Sequence, residues 1–81
     1  MKILLLPQAE EDYAAIAEPL HSKITKRLRS LALYPSLGAA LPEPYTGYRS
    51  TVVGIFRIVY RQPGPDLINI SYIRDCRRSL P

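Results

Sequence analysis

The residues most able to do chemistry in this sequence are arginines. Eight of the eleven basic residues are arginine, and Arg49, Arg57, Arg61, Arg74, Arg77 and Arg78 all fall in its second half. A guanidinium presents a planar fork of donors that matches phosphate or carboxylate, whereas lysine is the commoner choice for bulk solubility. The stretch "FRIVYR", Phe56 to Arg61, sets two of them four positions apart in an otherwise apolar, strand-like run. Side chains able to move a proton near neutral pH are few: His21, Cys76, Asp75 and the six tyrosines. The pattern points to binding a polyanion, a nucleic acid or an acidic protein segment.

Charge is distributed unevenly. Four of the seven acids, Glu10, Glu11, Asp12 and Glu18, lie in the first 18 residues, while ten bases and three acids follow from Pro19 onward. The helix-borne Lys23 and Lys26 are further candidates for nucleic-acid contact. At 81 residues the chain predicts a single domain, 1–81, with a small core. One cysteine, Cys76, permits no intrachain disulfide, which fits a reducing compartment and predicts a cytoplasmic protein. The apolar run Ile3 to Leu6 is too short for a signal-peptide core or a membrane span, so no membrane partner is expected. No spacing of His, Cys, Asp and Glu suggests a metal site, and no cofactor is expected.

The elements that must position these arginines are readable in outline. "KILLL" (2–6) reads as a short buried strand ended by Pro7. "PQAEEDYAAIAEP" has helix chemistry, with Pro7 at the entry, carboxylates in the early turns and a stripe of Ala9, Tyr13, Ile16 and Ala17. Leu20, Ile24, Leu28 and Leu31 form the seam of a second helix, which should stop near Tyr34 because Pro35 disfavours helical dihedrals in the residue before it. Residues 35–47 hold three prolines and two glycines and read as an irregular connection. Strand-like runs follow at Tyr48–Val53, Ile55–Arg61 and Leu67–Arg74, the last two separated by the turn "QPGPD". The order β-α-α-β-β-β predicts an α+β fold, a helical hairpin on one face of a small, mostly antiparallel sheet.

Register decides which arginines share a face. A three-residue loop, Val53-Gly54-Ile55, pairs Val52 with Phe56, Ser50 with Ile58 and Tyr48 with Tyr60. This register is preferred because those six make a mainly apolar face for the helices, with Gly54 left-handed. Arg49, Thr51, Arg57, Val59 and Arg61 then form the open face. In the last strand Ile68, Ile70 and Tyr72 share the core phase and Asn69 and Ser71 point outward. Arg74 falls in the core phase, so the strand must end or bulge there.

The run "YRSTVVGIFRIVYR", a Pro/Gly turn, then "INISYIRDCRR" resembles the RelE/ParE superfamily of type II toxins. The superfamily's tyrosine-arginine strand, Gly turn, aromatic-Arg-aliphatic-aliphatic-Tyr strand and basic C-terminal segment are all present, over nearly the whole chain. The resemblance implies a toxin neutralised by a cognate antitoxin. RelE-like members cleave mRNA on the ribosome without a metal, the 2′-hydroxyl attacking the adjacent phosphate; ParE-like members inhibit DNA gyrase with no known nuclease chemistry. Carried over, Arg57 matches the arginine on the scissile phosphate, Arg49 falls where a catalytic lysine stands, and Arg74 or Arg77 lies near a C-terminal catalytic arginine. Arg61, Arg77, Arg78, Lys23 and Lys26 are then nucleic-acid contacts.

Departures from the RelE-like pattern are also present. Thr51 occupies the place of a second basic residue, and the late base-stacking tyrosine is missing. The ending "RRSLP" is nearer to ParE-like tails, while the short hairpin is nearer to RelE-like members. The favoured expectation is a RelE-like, ribosome-dependent mRNA endonuclease, with gyrase inhibition as the alternative. The antitoxin is expected to lie over the hairpin or the sheet, on an exposed apolar patch.

Overall fold

A computed structural model describes residues 1–77, so Arg78 and its expected role lie outside the described residues. Strand β1 (Lys2–Leu5) leads into helix α1 (Pro7–Ala14) and helix α2 (Leu20–Leu33). A 3₁₀ turn (Pro35–Leu37) and a two-residue strand β2 (Ala39–Ala40) follow. Strands β3 (Tyr48–Val53), β4 (Phe56–Gly64) and β5 (Leu67–Asp75) complete a five-stranded sheet in the order β1-β5-β4-β3-β2. The β1–β5 pair is parallel and the rest are antiparallel. The fold is the expected α+β arrangement, with one ordered strand inside the connection expected to be irregular.

The helices cover one face of the sheet. Ile24, Leu28 and Leu31 of α2 are buried against Ile58, Tyr60 and Val53, while Ala9 and Ile16 join Ile68, Ile70 and Ile73 in the same core. Helix α2 ends at Leu33, with Tyr34 already out of helical dihedrals before Pro35, as expected. Its N-cap, Pro19, has no side-chain acceptor, and Glu18 supplies one. The Glu18 carboxylate accepts from the Ser22 N–H at 2.8 Å and from the Ser22 hydroxyl at 2.7 Å. These bonds to Ser22 hold its carboxyl below the usual range. They also satisfy a donor that a helix start leaves open. Helix α1 ends at Ala14, within the segment with helix chemistry, and the hairpin is closed by Tyr13 stacked on the His21 ring at 4.2 Å.

Helix α1 is also tied to the sheet. Strand β1 pairs with β5 only as far as Leu5 with Ile70, which leaves the later part of β5 without a strand on that side. Asp12 fills the gap: one carboxylate oxygen accepts the Ile73 N–H at 3.0 Å, and the other accepts from Gln8 at 2.9 Å. A charged acceptor on an edge amide is among the stronger hydrogen bonds available.

The β3–β4 register differs from the expected one. Val53 pairs with Phe56, Val52 with Arg57, Thr51 with Ile58 and Arg49 with Tyr60, around the two-residue loop Gly54-Ile55. Gly54 takes φ +60°, and no other residue of the loop is left-handed, the pattern of a type II′ hairpin turn. A Cβ on Gly54 would meet Leu20 at 2.6 Å, so the tight turn is also packed under α2. The three-residue loop, expected for the apolar face it makes, would leave Arg49 and Thr51 on the open side. They are accommodated on the helix-facing side instead: Arg27 donates to the Thr51 hydroxyl, and Arg49 donates to the Gly38 carbonyl at 2.7 Å. With those polar groups satisfied, turning them toward the helices leaves no such penalty on the observed register.

A second shift occurs between β4 and β5. Val59 pairs with Tyr72 and Tyr60 with Ile70, so Ser71 is an extra residue, a bulge that reverses the alternation after it. Ile68 and Ile70 face the core as expected. Tyr72, expected there, turns to the open face, and Ile73 replaces it in the core. The phase conflict at Arg74 is thus resolved three residues earlier than anticipated. Between β4 and β5 the turn narrows to Pro65-Asp66, because Gly64 still pairs with Leu67.

Candidate functional site

The uncovered face of the sheet can be built row by row. At one end Val52, Arg57 and Arg74 stand side by side across β3, β4 and β5; in the middle are Ser50, Val59 and Tyr72; at the other end are Tyr48, Arg61 and Asn69. Leu4 of β1 continues the last row and is exposed. Val59 is only 2% exposed although it lies on this face, so the long side chains around it lie across the sheet. The Arg74 guanidinium sits 4.9 Å from the centre of the Tyr72 ring, and that of Arg61 sits 5.8 Å from the centre of Tyr48. Flat cations and aromatic rings interleaved on a sheet can hold phosphates and stack bases.

Electrostatics single out this face. Among the described residues, none of Arg57, Arg61 and Arg74 is paired with a carboxylate. Arg57 Nε and Asn69 Oδ1 are buried with no hydrogen-bond partner. An unpaired buried donor on a cation is costly and is relieved by an anionic acceptor. Burial pushes the Tyr72 phenol up, the nearby Tyr45 and Tyr48 hydroxyls add to this, and Arg74 opposes it. Tyr72 therefore keeps its proton at neutral pH and is a hydrogen-bond donor.

The predicted site residues separate into groups. Arg57, Arg61 and Arg74 are brought together on the open face. Arg49 is not: it pairs with Tyr60, on the side of the helices, and is half-buried at the sheet's end. The shorter β3–β4 loop is the cause, since a one-residue change in register inverts every side chain of a strand. Arg77 is exposed and held by Asp75, with Nη2 to Oδ2 at 2.5 Å and Nε to Oδ1 at 2.9 Å, so its charge is compensated. Lys23 and Lys26 are exposed on α2, in the layer on the opposite side of the sheet. His21 belongs to the hairpin. The half-exposed Cys76 follows β5, where its N–H donates to the Ile55 carbonyl at 2.6 Å.

Tyr48, Tyr72 and Asn69 are the residues that sequence reasoning placed wrongly or left without a role. The only signal available for Tyr72 was the phase conflict between Ile70 and Arg74. Expected exposed apolar surface is present at the C-terminal end of α2, where Leu33, Tyr34 and Leu37 are 73%, 66% and 47% exposed. A groove of about 650 Å³ also runs beside Arg74, with Ile16, Phe56 and Ile73 as its apolar wall. Among the described residues no helix is long and apolar enough to cross a membrane.

Comparison with known proteins agrees with this architecture. The pattern of the ParE toxin of the parDE type II toxin-antitoxin system matches residues 3–80. The Mycobacterium tuberculosis RelBE2 toxin-antitoxin complex contains a chain that superposes with a TM-score of 0.80 at 17% identity, covering 90% of this chain and 94% of that one. A chain of the Escherichia coli RelBE complex gives 0.78 at 11% identity, with 94% and 96% covered. A chain of the Staphylococcus aureus YoeB-YefM complex gives 0.75 at 26% identity, with 91% and 94% covered. No curated protein matches the chain in sequence.

Proposed function

The chain belongs to the ParE toxin family of type II toxin-antitoxin systems, and from that premise we propose that it acts on RNA, as a RelE-like mRNA endonuclease. The observation that carries this is the row of Arg57 and Arg74, uncompensated and adjacent to Tyr72, with Arg57 Nε buried and unpartnered. Two guanidinium groups on one phosphate neutralise the charge that grows as a 2′-hydroxyl attacks phosphorus and the bond to the 5′ oxygen breaks. Arginines cannot take the attacking proton, since they stay protonated at any physiological pH. The Tyr72 phenol, which retains its proton, is suited to donate to a non-bridging or leaving oxygen. Among the described residues the open face offers no side chain matched to the base, which in this reading is supplied by the substrate complex.

Gyrase inhibition is the second reading, and the position of Arg49 favours it. The residue aligned with a catalytic lysine points to the helix side, away from Arg57, which leaves the open face short of one cation. In either reading the cytoplasmic toxin is held inactive by its cognate antitoxin, for which the exposed Leu33, Tyr34 and Leu37 form an apolar docking patch. The experiment is direct. Purified chain is added to translating ribosomes and the mRNA is mapped for breaks, and in parallel to gyrase supercoiling plasmid. Cleaved mRNA with unaffected supercoiling supports the nuclease; intact mRNA with blocked supercoiling transfers the assignment to gyrase.

A further inference from the structure

A small cleft of about 160 Å³ lies where the start of β3 and the end of β4 meet the 3₁₀ turn. Its walls include Ser36, Gly47, Arg49, Tyr60, Arg61 and Gln62. The cleft wraps round the end of the sheet, so Arg49 from the helix side and Arg61 from the open side both reach it. Tyr60 is already committed: its hydroxyl donates to the Pro35 carbonyl at 2.7 Å and accepts from the Gly38 N–H at 2.8 Å. Arg49 is fixed in place by one bond, from Nη1 to the Gly38 carbonyl. A guanidinium has five N–H donors, so the rest of the fork remains for a ligand. Arg61 is held over the Tyr48 ring. Gly47, at φ +91°, brings bare backbone to the rim, with open space where a side chain would stand.

Two positioned guanidinium groups, a hydroxyl and an amide around a space this small suit a single tetrahedral oxyanion. Arg61 lies four residues beyond Arg57 on β4, roughly 13 Å along the strand at about 3.3 Å per residue. One phosphate cannot span that distance. We infer that this cleft is a second oxyanion site, holding a neighbouring phosphate of the same RNA strand whose scissile phosphate lies at Arg57 and Arg74. The identity of the ligand rests on the RNA reading above. The role of Arg49 is thereby that of an anchor away from the chemistry, and the Tyr72 ring lies in the row between the two anchored phosphates, where a base can stack.

Two measurements test this. Inorganic phosphate titrated into the wild-type chain is expected to shift the Gly47 amide and the Arg49 Nε–H resonances saturably, and Arg61→Gln is expected to weaken that response several-fold. A 2′-O-methyl oligonucleotide, which cannot be cleaved by its own 2′-hydroxyl, is then bound at a series of salt concentrations. Loss of one phosphate contact lowers the slope of log K against log salt by about 0.7 for a single strand. Arg61→Gln and Arg49→Gln are each expected to show that loss, and the double variant no more than one phosphate's worth. An unshifted cleft, or an unchanged slope in both single variants, overturns the second site. Saturable phosphate binding at the cleft without oligonucleotide binding by the wild type overturns the RNA reading and the assigned ligand, and leaves an oxyanion site.

Discussion

Arg57 and Arg74 occupy directly paired positions on β4 and β5, so two guanidinium groups leave the same side of the sheet side by side. Like charges at such positions oppose folding by about 0.2–1 kcal/mol. Arg57→Met keeps an apolar stem over the sheet while removing the charge and the orphaned Nε. It is expected to raise the melting temperature by roughly 1–8 °C, at about 4–8 °C per kcal/mol for a domain of this size. Growth arrest on expression should be lost in the same variant. A destabilised but still toxic Arg57→Met protein contradicts both halves of the argument.

Most of the architecture is legible in the residues, and the failures that misplace site residues are failures of parity. The seam Leu20, Ile24, Leu28 and Leu31 and the stop before Pro35 located α2 without ambiguity. The open-face assignment of Arg57 and Arg61 also holds. Arg49 went to the wrong face because hydrophobic alternation treats Arg and Thr as outward-facing by default. Nothing local announces that Gly38 and Arg27, distant in sequence, will satisfy them. Tyr72 went to the wrong face because a single extra residue, Ser71, has no signature of its own. A pattern of period two carries no record of where it slips.

The bond from the Ile73 amide to Asp12 gives a stability prediction. Asp12→Ala leaves that edge amide without its acceptor and frees α1 from β5. The expected loss is about 1–3 kcal/mol in denaturant unfolding, with the slope unchanged. Asp12→Asn, which retains a carbonyl acceptor, is expected to lose less than half as much. Equal losses would assign the effect to the carboxylate's charge.

Tyr72 supplies a pH dependence. Its phenol is raised above the ordinary value of 10.0, chiefly by burial, so the folded chain holds this proton more tightly than the unfolded chain does. The resulting stabilisation is complete below the unfolded value and is lost as pH climbs through the folded one. Ultraviolet titration of the phenolate band, taken as the difference between wild type and Tyr72→Phe, should show one tyrosine ionising late. Removing the nearby cation with Arg74→Gln should delay it further, because the Arg74 charge favours the phenolate.

Gly38 is required by close approach rather than by its dihedral angles. A Cβ at this position would lie 2.7 Å from the Ser50 carbonyl oxygen and 2.7 Å from the Tyr60 hydroxyl. Gly38→Ala is expected to cost about 1–3 kcal/mol through overpacking of the β2–β3 corner. It should also displace the carbonyl that holds Arg49, which can be followed by the Arg49 Nε–H resonance.

Strand β1 lies beside β5, with Lys2 opposite Leu67 and Leu5 opposite Ile70. Strand β1 therefore has no neighbour in the sheet until β5, more than 60 residues later, has been made. Pairings so distant in sequence form slowly, because the loop between them must close before any contact rewards it. The arginine face is assembled by that same last strand, which brings Arg74 and Tyr72 to Arg57. A chain whose β5 has not yet docked therefore lacks that face, and the interval before docking is time in which an antitoxin already present can find its target.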